Sequence, residues 1–275
     1  MRKTGLMVLF IVAALLVSTN AHAYVWGVSP TSNNQLIEID PFTGAINRSY
    51  NLGSLIGSSN TEIGLAGWAD ALYYTNANLN NGLIYTIDPN TGNVVTSYTV
   101  SGGWEIDGLG YYSQGLGLES YIYTSGCSVN DMHRYNATNG AEPQFYWSNV
   151  SNPGSVAGDN GGRIFTYGLV GQVWGIYEVD PLSSANATFF AQSPSASIVG
   201  MAFDGQYLYL SDTQNMLYTM NTSGQLVKSL QLDYTLYALG STEGTGGGEP
   251  VIPEPSTVLL LGSGLAGVLF RRKNR

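Results

Sequence analysis

Apolar and polar residues alternate in short runs through the middle of the chain. These runs lie between two continuous apolar stretches, at residues 6–17 and 257–270. The alternation is clearest in LIEIDPFTGAI from Leu36 and in LIYTIDPNTGNVV from Leu83, on both sides of Asp-Pro-x-Thr-Gly. A period of two predicts half-buried β-strands, and Asp, Pro, Thr and Gly between two such strands predict a tight reversal. The pattern therefore predicts an all-β domain built from hairpins.

The hairpin pattern recurs along the chain. Weaker copies begin at Met132, Gly175 and Met216, and the five turns have spacings of 48, 48, 44 and 41 residues between their anchors, Asp40, Asp88, Asn136, Asp180 and Asn221. Glycines that tolerate positive φ follow in four copies, at Gly44, Gly92, Gly140 and Gly224. Recurrence at a nearly fixed period has one structural cause, so we interpret the run as a turn and not as a catalytic motif.

A second pattern precedes these hairpins. A strand of small residues followed by an aromatic strand begins near Ile63, Asp107, Val156 and Val199. With the hairpin, this makes four strands in a repeat of about 40 to 50 residues, which is typical of a β-propeller blade. We predict about five blades; a β-sandwich, and a six-bladed ring with one degenerate blade near residues 102–125, are the alternatives.

The first repeat, from Tyr24, lacks its small-residue strand. A matching segment, YTLYALGS, begins at Tyr234 near the other end of the domain. We expect it to join residues 24–52 and to close a ring that spans residues 24–240, because closure removes the free edges of an open sheet.

Charge restricts the partners of the domain. The chain has a formal charge of −9, and residues 24–250 carry four basic and eighteen acidic side chains, a formal charge of −14. Such a field repels nucleic acid and anionic membranes but not neutral glycans, cations or basic proteins. Cys127 is the single cysteine, so no disulfide forms within the chain and the core must supply the stability.

The amino-terminal end has the pattern of an export signal. Arg2 and Lys3 precede the apolar stretch, and Ala21-His22-Ala23 follows it as a small-residue cleavage site. We interpret residues 1–23 as a secretory signal peptide, with an uncleaved membrane anchor as the alternative.

The carboxyl-terminal end combines three contiguous parts after a Gly-rich linker at residues 241–250. They are the element Pro253-Glu254-Pro255-Ser256, the apolar segment 257–270, and a basic end with Arg271, Arg272, Lys273 and Arg275. In this order, residues 251–275 resemble the PEP-CTERM sorting signal of Gram-negative bacteria, with Ile252 where a valine is common. The resemblance implies that exosortase processes the tail, and that the protein then reaches the cell surface or an exopolysaccharide-associated matrix.

The physical properties of the tail agree with that resemblance. Fourteen residues in a helix span about 21 Å, whereas the hydrocarbon core of a bilayer is about 30 Å thick. The basic end is expected to stay cytoplasmic by the positive-inside rule, so the short transmembrane segment would hold the chain in the inner membrane transiently. A permanent carboxyl-terminal anchor is the alternative.

Motifs for enzymatic catalysis are scarce. The sequence contains no Gly-x-Ser-x-Gly and no His-Glu-x-x-His. His133 is the single histidine after the signal peptide, and with Cys127 it offers too few ligands for zinc. We expect His133 to be a solvated loop residue, and we predict no resident cofactor.

Polar residues at one predicted end of the blades are the candidates for ligand binding. Connections that enter a blade, and loops between second and third strands, are expected on the same face of a propeller. They carry the candidates Glu62, Trp104, Glu105, Asp107, Asn76, Asn78, Asp131 and Asp212. Glu105 and Asp107 lie two positions apart, so on a strand they would share one side and could hold a divalent cation. The five tryptophans occupy different places in the repeat, and we expect most of them to pack in the core.

Two hypotheses of function follow. The first is a non-enzymatic surface or matrix protein whose propeller binds a glycan or another matrix protein. The alternative is a divalent-cation-dependent hydrolase or lactonase that uses Glu62, Glu105 or Asp107.

Overall fold

The computed structural model describes residues 24–30, 35–55, 63–68, 70–76, 82–100, 106–113, 120–125, 132–141, 149–158, 162–181 and 187–242. Apart from a short 3-10 turn at Gly53–Leu55, the regular structure of these residues is β-strand. The strands are β1 (Val25–Ser29), β2 (Gln35–Ile39), β3 (Ile46–Asn51), β4 (Ile63–Trp68), β5 (Ala71–Asn76), β6 (Leu83–Ile87), β7 (Val94–Thr99), β8 (Gly108–Ser113), β9 (Ser120–Ser125), β10 (Met132–Asn136), β11 (Ser151–Gly158), β12 (Ile164–Val170), β13 (Val173–Val179), β14 (Thr188–Ala191), β15 (Ile198–Phe203), β16 (Tyr207–Asp212), β17 (Met216–Asn221), β18 (Leu226–Gln231) and β19 (Ala238–Ser241).

These strands form five antiparallel sheets, the blades of a β-propeller. From the innermost strand outward, blade 1 is β19-β1-β2-β3, blade 2 is β4-β5-β6-β7, blade 3 is β8-β9-β10, blade 4 is β11-β12-β13-β14 and blade 5 is β15-β16-β17-β18. Each innermost strand contacts the innermost strands of both neighbouring blades, so the ring is complete. The predicted five-bladed propeller is confirmed, and the β-sandwich is excluded. In blade 3, the described residues supply three strands.

The ring closes where the sequence predicted. Strand β19 pairs with β1 in antiparallel register, from Val25 opposite Ser241 to Val28 opposite Ala238. The first and last strands of the domain thus share blade 1, and the compact unit that they close spans Ala23–Glu243.

The core lies between the blades. The described residues form five buried apolar clusters, and each joins side chains of two adjacent blades. Within each blade, one cross-strand row pairs a small residue of the innermost strand with an aromatic residue of the second strand. The five pairs are Gly240–Trp26, Ala66–Tyr73, Gly110–Tyr123, Ala157–Phe165 and Ala202–Tyr209. The small residues let the innermost strands approach the axis, and the aromatic residues fill the wider space farther out.

The recurring turns have the predicted geometry. The Asp88 carboxylate accepts a 2.8 Å hydrogen bond from the Asn90 N–H, and the Asp88 carbonyl accepts one from Gly92 N–H. Gly92 has a φ of 70°, a left-handed conformation that a side chain would strain. The glycines at the same place in the other copies, Gly44, Gly140 and Gly224, have φ values between 71° and 77°. The interpretation of the Asp-Pro-x-Thr-Gly run as a turn is confirmed.

These turns also join the blades. Tyr50, on the outermost strand of blade 1, donates its hydroxyl to the Asn90 carbonyl of blade 2 at 2.6 Å. In blade 3, the Tyr123 hydroxyl donates to the Pro181 carbonyl of blade 4, and Arg134 Nη1 donates to the same oxygen at 3.1 Å. The turn of a blade is therefore fastened to the preceding blade.

In the described part of the chain, no helix is long and apolar enough to span a membrane. The apolar segment 257–270 and the signal peptide lie outside the described residues, so the expected transmembrane helix stays a prediction.

Candidate functional site

The first residues of the innermost strands and the last residues of the second strands lie on one face of the propeller. The first residue of an innermost strand pairs with the last residue of the second strand, as in Ile63 opposite Asn76 and Ile198 opposite Asp212. We call this side the mouth face. The Asp-Pro and Asn turns lie at the other ends of the strands, on the side that we call the turn face. Among the candidates from the sequence, the described residues Asn76, Asp107 and Asp212 lie at this face.

Asn76 is buried within its blade. Its side-chain amide lies at the end of β5 and donates to the Tyr74 hydroxyl at 3.4 Å, and none of its surface is exposed. The Tyr74 hydroxyl donates in turn to the Leu55 carbonyl at 3.0 Å. Burial raises the pKa of Tyr74, so this hydroxyl remains protonated and able to donate. The Asn76 side chain therefore organises the interior of the mouth face.

Asp212 shapes the turn between β16 and β17. Its carboxylate accepts hydrogen bonds from the Gln214 N–H at 2.8 Å, the Met216 N–H at 3.0 Å and the Tyr218 hydroxyl at 3.0 Å. The pKa of Tyr218 is raised by desolvation and by the neighbouring Asp212. The Asp212 carboxylate is nearly fully buried and accepts from three donors, so it stabilises the turn as the side chain of an Asx motif does.

Asp107 is half-buried at the entry to β8, where its N–H donates to the Ser125 carbonyl at 2.8 Å. The other sequence candidates, Glu62, Asn78, Trp104, Glu105 and Asp131, lie outside the described residues. The pairing of Glu105 with Asp107 thus stays a prediction. Within the described ranges, no three His, Cys, Asp or Glu side chains come together as metal ligands would.

His133 corrects one expectation from the sequence. It lies on β10, not in a loop, and it is buried rather than solvated. Its ring stacks on that of Tyr135, with centroids 6.0 Å apart and an interplanar angle of 13°. Met132 packs in the cluster between blades 3 and 4, and Tyr135 in the cluster between blades 2 and 3, so both sides of β10 are covered and His133 lies on the same side as Tyr135. The burial of His133 depends on packing between blades, which the residue type alone does not indicate.

The central channel is narrow. Its cavity measures about 170 Å³, counted with the opening to solvent, and its lining residues carry no carboxylate and no imidazole. The lining comes from all five innermost strands and includes the small residues Ala66, Gly110, Ala157, Ala202 and Gly240 of the cross-strand row. The candidates Asn76, Asp107 and Asp212 are not part of this lining.

Trp174 is an aromatic side chain at the mouth face that is open to solvent. Trp174 follows the two-residue turn Gly171–Gln172 between β12 and β13, and 44% of its surface is exposed. Its ring lies 5.3 Å from that of Tyr167, tilted by 33°. Trp26 is fully buried and Trp68 stacks on Tyr111 at 5.1 Å, so these two tryptophans pack as expected while Trp174 does not. Trp174 was not among the residues predicted to bind a ligand. The tight turn Gly171–Gln172 directly before it is the feature of the sequence that could have indicated its exposure.

No curated protein sequence matches this chain. Among solved structures, a chain in the crystal structure of a nidogen/laminin complex aligns with a TM-score of 0.51 at 10% identity, over 80% of this chain and 98% of that chain. Kuenenia stuttgartiensis hydrazine synthase aligns with a TM-score of 0.42 at 14% identity, over 66% of this chain and 53% of that chain. BamB from Moraxella catarrhalis aligns with a TM-score of 0.35 at 14% identity, over 82% of this chain and 68% of that chain. At such low identity, the first of these similarities shows the fold alone.

The tail supplies the functional assignment that the propeller does not. Residues 251–273 match the model of the PEP-CTERM protein-sorting motif, as the Pro-Glu-Pro element, the apolar segment and the basic end predicted. This motif implies export in a Gram-negative bacterium, with exosortase as the processing partner. The chain therefore carries a PEP-CTERM sorting motif in its carboxyl-terminal tail, which follows a five-bladed β-propeller in the sequence.

Proposed function

We propose that this exported protein is released from its sorting tail at the cell surface or into an exopolysaccharide matrix, where the propeller acts as a non-enzymatic scaffold that binds a neutral glycan. The binding surface is the mouth face, with the Trp174 ring as the platform on which a sugar ring stacks. The exposed indole is the observation that carries the proposal, because aromatic faces provide the apolar contact for pyranose rings.

The backbone around Trp174 is held in place. The Tyr177 hydroxyl donates to the Val173 carbonyl at 2.8 Å, and Gln192 Nε2 lies 3.4 Å from the Trp174 carbonyl as a donor. Tyr167 supports one side of the indole through the ring contact. A platform that is ordered before binding loses little conformational entropy when a ligand arrives.

Charge supports a neutral ligand. With a formal charge of −14 over residues 24–250, the domain repels acidic polysaccharides at low salt. Neutral glycans meet no such barrier, and the amides and hydroxyls of the mouth-face loops offer hydrogen-bond partners to sugar hydroxyls.

A glycan array probed with the mature protein tests the binding proposal. We expect neutral oligosaccharides to bind, and Trp174→Ala to weaken binding about fivefold, since loss of one stacking contact costs about 1 kcal/mol. Leu226→Ala is the matched control, because Leu226 is similarly exposed but lies on the turn face. Equal loss in both variants, or binding untouched by Trp174→Ala, contradicts the proposed surface.

The sorting step has its own test. Intact mass of the protein from the native envelope and medium should show a carboxyl terminus cut near Pro253-Glu254-Pro255, and substitution of these three residues should abolish the cut. A mature protein that still ends at Arg275 would contradict release and leave the propeller anchored.

A further inference from the structure

We propose that the outermost strand of blade 2, β7, pairs edge to edge with the same strand of a second copy of this chain. The two strands would run antiparallel about a two-fold axis at Thr96, so that Ser97 lies opposite Val95 of the other copy, and would join two blades into one continuous sheet. This inference does not depend on glycan binding.

Most side chains of β7 are exposed, and the turn of blade 3 contacts the end of the strand, at Tyr98 and Thr99. Five of its six residues are exposed, including Val95 with 68% of its surface open to solvent. The sixth, Tyr98, packs inward against the cluster between blades 2 and 3. The residues Val94, Val95, Thr96, Ser97, Tyr98 and Thr99 contain no charge and no proline. Long, uncharged edges of this kind are the ones at which sheets add strands.

The backbone of β7 has hydrogen-bonding groups directed outward. The Val100 N–H donates to the Gly82 carbonyl at 2.9 Å, so Gly82 and Val100 form a hydrogen-bonded pair. Hydrogen-bonded and non-hydrogen-bonded pairs alternate along an antiparallel ladder. From the register Tyr85 opposite Ser97, the N–H and C=O groups of Ser97 therefore point away from β6. They are available to a further strand.

The repeat provides an internal comparison. The turn hydrogen bonds Asp40 N–H to Ala45, Asp88 N–H to Asn93 and Asn221 N–H to Gln225 align the outermost strands of blades 1, 2 and 5. In that alignment, Arg48 on β3 and Lys228 on β18 occupy the place of Thr96 on β7. A basic residue in the middle of an edge strand is a common protection against edge-to-edge pairing. Lys228 is exposed and protects the edge of blade 5, whereas Arg48 in blade 1 is engaged by Glu38 and Asn90. Blade 2 has an uncharged threonine at this place and lacks the protection that blade 5 has.

A second copy fits this edge better than a charged partner. Since residues 24–250 carry a charge of −14, two copies repel each other over most of their surface, and an uncharged strip is where they can approach. An antiparallel two-fold pairing places Ser, Thr, Val and Tyr side chains opposite one another, and such cross-strand pairs are favourable. The same patch serves both copies, as in any isologous dimer.

The dimer is tested by analytical ultracentrifugation of the full mature chain in mild detergent. We expect a monomer–dimer equilibrium for the wild type, and an increase of about tenfold or more in the dimer Kd for Thr96→Lys, because two lysines would face each other near the axis. Gln172→Lys, in the exposed turn of blade 4, is the control with the same change of charge. Thermal unfolding of each variant shows that it is folded.

Removal of the basic residue from a protected edge should increase self-association. Lys228→Thr should open a second edge on β18 and produce species larger than a dimer. Cross-linking gives the register: Thr96→Cys in a Cys127→Ser background should form a covalent dimer on mild oxidation. A monomeric wild type would overturn the proposal. A dimer whose Kd is unchanged by Thr96→Lys would also overturn it, and this is the result expected if the apolar tail drives association.

Discussion

Gly92 lies directly against the ring of Tyr50, so that a Cβ on this glycine would be 2.6 Å from the Tyr50 Cβ. The same relationship recurs one blade later, where a Cβ on Gly140 would be 2.6 Å from Tyr98 Cδ2. The glycine of the turn is therefore required for two reasons, its left-handed conformation and its contact with the preceding blade. The recurring turn is a fastening between blades as well as a reversal of the chain.

Gly92→Ala should separate these two requirements when it is compared with Gly171→Ala. Gly171 also has a positive φ, 63°, but no atom lies within 4 Å of its added Cβ. We expect Gly171→Ala to cost about 1 to 2 kcal/mol for the left-handed backbone alone. Gly92→Ala should cost about 1 to 3 kcal/mol more, because the blades must move apart. Urea denaturation measures both, and equal losses would show that the interblade contact carries no energy.

Asp88→Asn should reduce the stability of the domain at neutral pH and leave it unchanged at pH 2. The N–H of Asn90 and the hydroxyl of Thr91 hold the pKa of Asp88 below its usual range. A lowered pKa stabilises the fold above the unfolded pKa of about 3.9, and this contribution is lost as the pH falls through the folded pKa. Asn136→Asp, at the same place in blade 3, should show the opposite change. Denaturation at the two pH values checks both variants, and parallel pH profiles would contradict the expectation.

Arg163 should stabilise the contact between blades 4 and 5 through its planar guanidinium. It donates to both oxygens of Glu178, at 2.8 Å and 2.9 Å, while lying 4.7 Å from the ring of Phe165 and 5.7 Å from that of Phe203. Arg163→Lys keeps the charge but loses the paired bonds and the flat stack, so we expect a loss of about 1 kcal/mol. Glu178→Gln should cost less, because the pair is partly exposed and the stack remains. A double-mutant cycle by thermal unfolding separates the two terms.

Removal of β19 should abolish cooperative folding. A chain that ends after Leu232 lacks the innermost strand of blade 1, and Leu236 and Leu239 leave the core that they share with Val25 and Ile37. A chain that ends after Glu243 keeps the whole ring and serves as the control. Circular dichroism and size-exclusion chromatography should show a folded control and an aggregated or unfolded shorter chain. A folded, monomeric shorter chain would contradict closure by β19.

Much of the fold followed from local rules. The alternation around Asp40 and Asp88 predicted hairpins, and the period between them predicted blades. The segment at Tyr234 predicted the closing strand, now seen as β19 beside β1. These features depend on neighbours in the sequence and on backbone conformation, which a single chain displays in its residue order. The sorting motif at residues 251–273 is likewise linear and needs no fold to be recognised.

The exposure of individual side chains followed different rules, because it depends on the blade that lies alongside. His133 and Asn76 have polar side chains that favour solvent, yet adjacent strands and the neighbouring blade cover both. Trp174 is apolar and remains exposed beside the turn that joins β12 to β13. The repeat predicted where each residue lies in its blade. The packing of one blade on the next determined whether solvent reaches it, since burial results from contacts between residues that are far apart in sequence.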